Sequence, residues 1–144
     1  MQPVPTELLR NIVLTGHAGS GKTILAESFA LSMGITTRLG SIEEGSTLSD
    51  YSADEIEKKH SLNTTIIHGM WNKYKLNILD TPGLLDFHGD VKAAMRVADT
   101  VVLTVNASSG VEVGTDTIWN YTQDYYKPTI FVLTKLDADR AHFK

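Results

Sequence analysis

The sequence of 144 residues contains no cysteine, which excludes thiol catalysis, disulfide bonds and cysteine-ligated metals. A chain without cysteine suits a reducing compartment, and we predict a cytoplasmic protein. Long apolar runs are also missing, because segments such as "VVL" and "IFVL" are far too short to cross a membrane. The N-terminal "MQPVPTELLRN" has no signal-peptide pattern. We therefore expect no membrane partner.

An excess of basic residues is absent as well. The formal net charge is −4, so the chain has no overall electrostatic attraction for nucleic acid, and we predict no direct sequence-specific nucleic-acid binding. The content of 42% hydrophobic and 21% charged residues is that of a globular protein. A chain of this length can form one compact domain that buries roughly 70% of its surface.

Apolar segments alternate between strand-like and helix-like patterns, which is typical of α/β proteins. Strands are predicted at 11–15, 63–71, 75–80, 100–106 and 128–134, the last of them buried, and helices at 21–33, 86–98 and 115–126. In the helices we expect an inner side formed by Ile24, Leu25, Phe29 and Ala30, and by Ile118 and Trp119. The long polar segment of about 38–62 contains one predicted helical turn at Ala53–Lys58. Loops of this length are usually functional or mobile.

A phosphate-binding motif lies between the first strand and the first helix. "GHAGSGKT" matches G-x-x-x-x-G-K-[ST], whose backbone N–H groups converge on phosphate oxygens. Lys22 would bring a charge to the β- and γ-phosphates, and the Thr23 hydroxyl would bind Mg²⁺. We predict nucleotide contacts from Gly16, His17, Ala18, Gly19, Ser20, Gly21, Lys22 and Thr23. The alternatives are a plain glycine-rich turn and, for His17, a catalytic role instead of a backbone contact.

A second candidate site follows the third predicted strand in "NILDTPGLLDF". Asp80 ends the strand and should face Mg²⁺ through a water, because Mg²⁺ keeps much of its hydration shell. Thr81, Pro82 and Gly83 form the turn that follows, and the Gly83 N–H suits a γ-phosphate. Asp80 could instead be a helix cap or turn residue.

The segment "TKLD", Thr134–Asp137, follows the last predicted strand. An ionised Asp137 only accepts hydrogen bonds, which matches the N1–H and N2 amino donors of guanine. Adenine would leave the carboxylate unpaired, at a cost of at least about 1–3 kcal/mol. Lys135 can pack its stem along the base, with Thr134 and Leu136 beside it. Alone this motif would indicate a surface loop; together with the two earlier motifs it indicates base recognition.

From about Leu9 to Phe143 the chain resembles the translational GTPases, and most of all the G domain of elongation factor G and its paralogues. The motifs that carry the resemblance are "DTPG..DF", "DV..AMRVAD", "GVEVGTDTIW" and "TKLD". The resemblance implies a three-layer P-loop α/β domain with a mostly parallel sheet. It also implies GTP or GDP with Mg²⁺, a ribosomal partner, and a guanine-binding lysine and aspartate at Lys135 and Asp137.

Four positions depart from that family. Leu84 stands where the family has the histidine that positions the attacking water, so of the catalytic positions Lys22 is retained and Leu84 is not itself competent. Gly19 replaces an aspartate, and Thr134 replaces the usual asparagine. The family's R-G-I-T segment is not intact; "EKKHSLN" overlies it, which makes Ser61 a candidate Mg²⁺ ligand with Thr23.

Three classes of function therefore compete: a GTP-hydrolysing translation factor, a GTP-binding regulatory module with little turnover because of Leu84, and an ATP-using enzyme that shares only the phosphate loop. The "TKLD" segment argues against the third. The family's G domain continues beyond Asp137 with a further strand and helix. We accordingly expect residues 1–144 to be a C-terminally truncated, partial GTP-binding domain, with ribosome contacts made by domains outside this chain.

Overall fold

The computed structural model describes residues 4–141, so Phe143, the end of the resemblance, lies outside the described residues. The elements in chain order are β1 (Leu9–Gly16), α1 (Lys22–Ser32), α2 (Ala53–Lys58), β2 (Thr65–Trp71), β3 (Tyr74–Asp80), α3 (His88–Val97), β4 (Thr100–Asn106), α4 (Val113–Asp124) and β5 (Thr129–Thr134). Short 3₁₀ turns precede β1 and α3. Every predicted strand and helix is confirmed in this order. Within the described range, no helix is long and apolar enough to cross a membrane.

The strands form one sheet in the order β2-β3-β1-β4-β5, and only β2 runs antiparallel to its neighbour. The predicted mostly parallel sheet is therefore confirmed. Its register sets Leu14 opposite Asp80 and Gly16 opposite Thr104, while Asn106 lies opposite Thr134. Because β1, β3 and β5 run in the same direction, the three predicted motifs all lie at the carboxyl ends of the strands. This arrangement positions the candidate site.

Neighbouring strand residues point to opposite faces of the sheet, as the period of two requires. Val13 belongs to a core with α3 and α4, whereas Leu14 belongs to a second core with α1. Helices α3 and α4 contribute Val91, Met95 and Ile118 to the first core. The sheet therefore lies between two helical layers, which confirms the predicted three-layer architecture.

Three predictions of burial were wrong. Ile24 is 37% exposed, because the inward face of α1 is occupied by small residues and by Glu27, which is only 1% exposed. Trp119 is also 37% exposed and rests its ring on Phe131, with ring centroids 5.3 Å apart. Strand β5 is not buried, since Ile130 and Phe131 are more than half exposed. Among the described residues β5 pairs with β4 alone, so it is an edge strand.

The long polar segment has a defined conformation. Its predicted helical turn is confirmed as α2, which begins with a capping box: Ser52 accepts from the Glu55 N–H, and the Glu55 carboxylate accepts from the Ser52 N–H. The Thr65 hydroxyl donates to the Ser49 carbonyl at 2.9 Å, which joins the segment to the start of β2. The mobility of residues 38–62 stays a prediction.

Candidate nucleotide-binding site

The phosphate loop leaves β1 at Gly16 and enters α1 at Lys22. Gly21 has a φ of 88°, a left-handed conformation that side chains disfavour. At Gly16 a β-carbon would stand 2.5 Å from the carbonyl oxygen of Thr104, so the loop can lie against β4 only with glycine there. The Ser20 and Thr104 hydroxyls also meet at 2.6 Å. The glycine at position 16 and the Ser20 hydroxyl thus hold the loop against β4.

Lys22 is held inside this loop and is 6% exposed. Its Nζ donates to the carbonyls of Gly16 and His17 at 3.1 and 3.0 Å. Burial lowers the pKa of Lys22 to about 8, and the nearby Asp80 and Asp50 carboxylates oppose that shift. The ammonium group is therefore placed and oriented before any phosphate arrives.

Asp80 lies beside this lysine at the end of β3 and is 1% exposed. Neither carboxylate oxygen makes a hydrogen bond of good geometry to a described residue, although the nearby Ser49 and Thr23 hydroxyls act to lower the pKa of this carboxyl. Burial raises the pKa of Asp80 to about 6, although the Lys22 charge works against the rise. A buried carboxylate without partners is costly unless something binds it. Oxygen ligands of this kind suit Mg²⁺ or a water in its hydration shell, so the residues fit the predicted metal.

The hydroxyl oxygens of Ser61 and Thr23 lie 3.2 Å apart. The two residues are far apart in sequence, so the folding of the polar segment onto α1 brings them together. The structure therefore places Ser61 next to the hydroxyl that was predicted to bind Mg²⁺.

Asp50 was missed by the sequence analysis. It is 4% exposed, and its Oδ1 has no partner in the described part of the chain. Burial raises its pKa, while a hydrogen bond from the Ser61 hydroxyl acts in the other direction. No motif or periodic pattern marks this residue, because a lone aspartate in a polar loop resembles any solvated one. Its place in the site follows only from the fold.

A cavity of about 330 Å³ lies between the phosphate loop and the polar segment. Lys22 and Thr23 form one side, and Asp50, Ser61 and Leu84 are on the others. Leu84 is half-buried, and it brings an apolar side chain to the position where, by resemblance, the family has a histidine.

The turn after Asp80 packs directly against the phosphate loop. The Thr81 hydroxyl donates to the Leu14 carbonyl at 2.8 Å. A β-carbon on Gly83 would stand 2.8 Å from the α-carbon of Ala18, so only glycine allows this approach. Pro82 between them is buried. The Gly83 backbone consequently faces the cavity beside Lys22.

The "TKLD" segment divides into two parts. The Thr134 hydroxyl donates to the carbonyl of Ser20 at 2.7 Å, so this residue supports the phosphate loop. Lys135 adopts a positive φ of 55°, and Leu136 and Asp137 are exposed. Asp137 makes no side-chain hydrogen bond to any described residue. The motif therefore lies next to the phosphate loop, with its acidic end free for a ligand.

The side chain of His17 is directed toward α4, since its Nε2 lies 3.6 Å from the carboxylate of Glu112. Its ring packs against Gly114, where a β-carbon would stand 2.5 Å from Nδ1. This arrangement agrees with a backbone contact from His17 to a nucleotide and provides nothing for a catalytic one.

Comparisons with known proteins agree with this geometry. Residues 7–144 match the model of the elongation factor Tu GTP binding domain. The chain is 37% identical over 143 residues to mitochondrial ribosome-releasing factor 2 of Debaryomyces hansenii, covering 99% of this chain and 17% of that protein. It is 35% identical over 136 residues to the elongation factor G-like protein of Mycobacterium tuberculosis, covering 94% and 19%.

Solved structures give the same result. A crystal structure of a Thermus thermophilus protein matches with a TM-score of 0.87 and 35% identity, over 90% of this chain and 20% of that one. A bacterial selenocysteine-specific elongation factor shares the fold with a TM-score of 0.71 at 21% identity, over 89% of this chain and 20% of that one. These matches confirm the P-loop NTPase fold. The chain spans only 17% to 20% of the length of these relatives.

Proposed function

Since this chain belongs to the elongation factor Tu GTP-binding domain family, the G domain of translational GTPases, we propose that it binds GTP and GDP with Mg²⁺ and hydrolyses GTP. The protein that carries it would be an elongation factor G-like translation factor. The observation that carries the proposal is the buried and unpartnered Asp80 carboxylate beside Lys22 and Thr23. A buried charge of that kind requires a ligand, and a phosphate-bound Mg²⁺ is the ligand that this donor set suits.

Thr23, Ser61 and Asp80 are the residues that would hold the metal, directly or through water. When bound, Mg²⁺ would offset the negative charge that develops on the transferred phosphate. Lys22 would supply the second positive charge, and its fixed position costs no reorganisation during the reaction. Asp50 adds a second buried carboxylate to the same cavity.

Base selectivity is proposed for Asp137 and Lys135. The Thr134 hydroxyl joins this segment to the phosphate loop, so a nucleotide whose phosphates lie at Lys22 has its base directed toward the "TKLD" loop. The exposed carboxylate of Asp137 accepts from guanine and would be left unpaired by adenine. Comparable affinity for GTP and ATP would favour the ATP-using class instead.

A second candidate function is favoured by Leu84. Leucine has no donor or acceptor, so it cannot orient a water or exchange a proton. The protein would then be a GTP-binding regulatory module with little or no hydrolysis, in which nucleotide binding alone controls a partner. Turnover by the protein that carries this chain, measured with and without ribosomes, separates the two candidates.

The ribosome is the proposed partner, because the relatives include a ribosome-releasing factor and an elongation factor G-like protein. One of these relatives is mitochondrial and the other is bacterial. Cytoplasm remains the prediction for this chain, made from its lack of cysteine.

The proposal is tested by titrating a fluorescent GDP analogue with Mg²⁺ or with a chelator, and by competing it with unlabelled GDP and ADP. We expect tight binding that requires Mg²⁺ and is displaced by GDP but not by ADP. Equal affinity with Mg²⁺ and with chelator would show that Asp80 and Thr23 do not bind a metal. Displacement by ADP would refute the assignment of Asp137.

A further inference from the structure

Glu27 is a buried acid that belongs to none of the motifs described above. It lies on α1 four residues after Thr23, on the same side of the helix, because residues four apart face the same way. Only 1% of the residue is exposed. A carboxylate in this position is almost never buried without partners that bind its charge. Helix α1 thus carries a buried polar group, Glu27, one turn after Thr23.

The partners of Glu27 are two backbone N–H groups of the polar segment. Oε2 accepts from the Gly40 N–H at 3.1 Å, and Oε1 accepts from the Leu48 N–H at 2.5 Å. One carboxylate therefore holds both ends of the 40–48 loop. Bonds from N–H groups to a charged acceptor are stronger than those to a neutral one. At Gly40 a β-carbon would stand 2.6 Å from Oε2 and 2.8 Å from the backbone carbonyl oxygen of Ser46, so this close approach requires glycine.

The hydrogen bond at the Leu48 N–H fixes the position of the two residues that follow it. Ser49 and Asp50 follow it directly, and both are buried. Asp50 lines the cavity of the candidate nucleotide site, close enough to Lys22 to affect its pKa. The hydrogen bond at Leu48 therefore ties the chain to α1 two residues before Asp50.

We infer that Glu27 is a positioning residue, which holds residues 40–50 against α1 so that Asp50 stays in the nucleotide cavity. This inference rests on the proposed function of that cavity. In this role Glu27 acts through the backbone of Gly40 and Leu48. Without its charge the segment should move away from α1 and take Asp50 out of the cavity. A carboxylate beside phosphates can favour nucleotide binding only through a cation, so a bound nucleotide should leave faster when Mg²⁺ is present.

The test uses Glu27→Gln in the protein that carries this chain. Glutamine has the same shape, but it replaces one acceptor with an NH₂ group that faces an N–H group. Glu44→Gln is the matched control, because Glu44 is an exposed acid in the same loop. The measurement is the rate at which methylanthraniloyl-GDP dissociates, with Mg²⁺ and with chelator. Loss of a charged hydrogen bond predicts about tenfold faster release for Glu27→Gln with Mg²⁺, and little change with chelator.

Limited proteolysis with trypsin provides a second measurement, which needs no nucleotide. Arg38 lies just before the loop held by Glu27, whereas Lys73 lies in the exposed turn between β2 and β3. We expect Glu27→Gln to raise the rate of cleavage after Arg38 relative to that after Lys73, and Glu44→Gln to leave the ratio unchanged. If Glu27→Gln does not fold, Gly40→Ala displaces the same contact from the other side and should raise the same ratio.

The inference is overturned if Glu27→Gln folds, binds nucleotide and behaves like the Glu44→Gln control in both measurements. Faster release by the same factor with Mg²⁺ and with chelator would also overturn it, because that result describes a general loss of stability. If the unmutated protein binds no guanine nucleotide, the proposed function fails by itself. The cleavage ratio would then still report whether Glu27 holds the segment.

Discussion

Asp80 shows how one side chain can lower stability and create a site at once. Its charged form is destabilised by burial, and the rise of its pKa from 3.8 to about 6 is what remains of that penalty after the opposing attraction of Lys22. The neighbouring Lys22 has the opposite shift for the same reason, from 10.5 to about 8. Two buried charges that are only partly paired are expensive, and such pairs are concentrated where a ligand completes the arrangement.

We predict that Asp80→Asn raises the thermal stability of the nucleotide-free protein and removes the Mg²⁺ dependence of nucleotide binding. The amide carries no charge, so up to about 3 kcal/mol of burial cost is relieved. Thermal melting in chelator and binding with and without Mg²⁺ are the two measurements. Asp86→Asn, at an exposed position in the following turn, is the control. A lower melting temperature for Asp80→Asn, with Mg²⁺ dependence intact, would contradict this account.

Leu84 sets the expected rate of hydrolysis. A positioned proton-transfer group contributes about 10²–10⁴ in rate, and leucine offers none. Intrinsic turnover should therefore be very slow although binding is retained. Leu84→His should raise single-turnover GTP hydrolysis, measured with and without ribosomes, whereas Leu85→His at the exposed neighbouring position should not. Fast turnover with Leu84 in place, unimproved by histidine, would show that this protein needs no side chain there.

At the scale of elements, α2 and the loop after it depend on Glu55. This residue is buried, and its carboxylate accepts from the N–H groups of Leu62 and Asn63 at 3.0 and 3.2 Å, as well as from Ser52. Burial alone would raise the pKa of Glu55, but these hydrogen bonds outweigh it and the net shift is downward. Ser61 immediately precedes Leu62, so the same carboxylate determines where Ser61 meets Thr23.

The direction of that shift predicts a pH dependence. A carboxylate whose pKa is lower in the folded state stabilises the fold above its ordinary value of 4.5, and this contribution is lost as pH falls through the lowered value. Glu55→Gln should therefore reduce the melting temperature most at pH 7, and the difference should shrink below about pH 4.5. Glu57→Gln, exposed on the same helix, serves as the control. A difference that is constant from about pH 7 to about pH 3 would mean that the charge of Glu55 does not matter.

At the scale of the whole molecule, the parallel sheet collects distant segments at one edge. The phosphate loop follows β1, Asp80 ends β3 and the "TKLD" segment follows β5. The hydrogen bond from Thr134 to Ser20 joins residues that are 114 positions apart. The segments proposed for base recognition and for phosphate binding are therefore separate in sequence and adjacent in space.

Because of that separation, a substitution should be able to change the base preference without disturbing the phosphate site. Asp137→Asn should lower affinity for GDP and raise it for xanthosine diphosphate, whose 2-oxo group accepts from the new amide. Competition of both nucleotides against a fluorescent GDP analogue measures the change, and the Mg²⁺ dependence should stay as it was. Asp139→Asn, also exposed, is the control. An unchanged base preference would remove Asp137 from the site.

Much of this architecture follows from local sequence alone. The phosphate loop, the strands that became β2 and β3, and the helical turn at Ala53–Lys58 were predicted from patterns of a few residues, such as glycine spacing and runs of apolar residues. Such patterns act through backbone geometry and neighbouring side chains, so they can be read without knowing the tertiary contacts. The mostly parallel sheet was implied by the family resemblance.

Only the tertiary structure decided the places of Asp50 and Glu27 and the outward direction of Ile24. Glu27 is buried because backbone N–H groups from Gly40 and Leu48 satisfy its charge. Ile130 and Phe131 are exposed because no described strand pairs with the outer side of β5. Whether a residue is buried depends on which distant segment packs against it, and no short pattern contains that information.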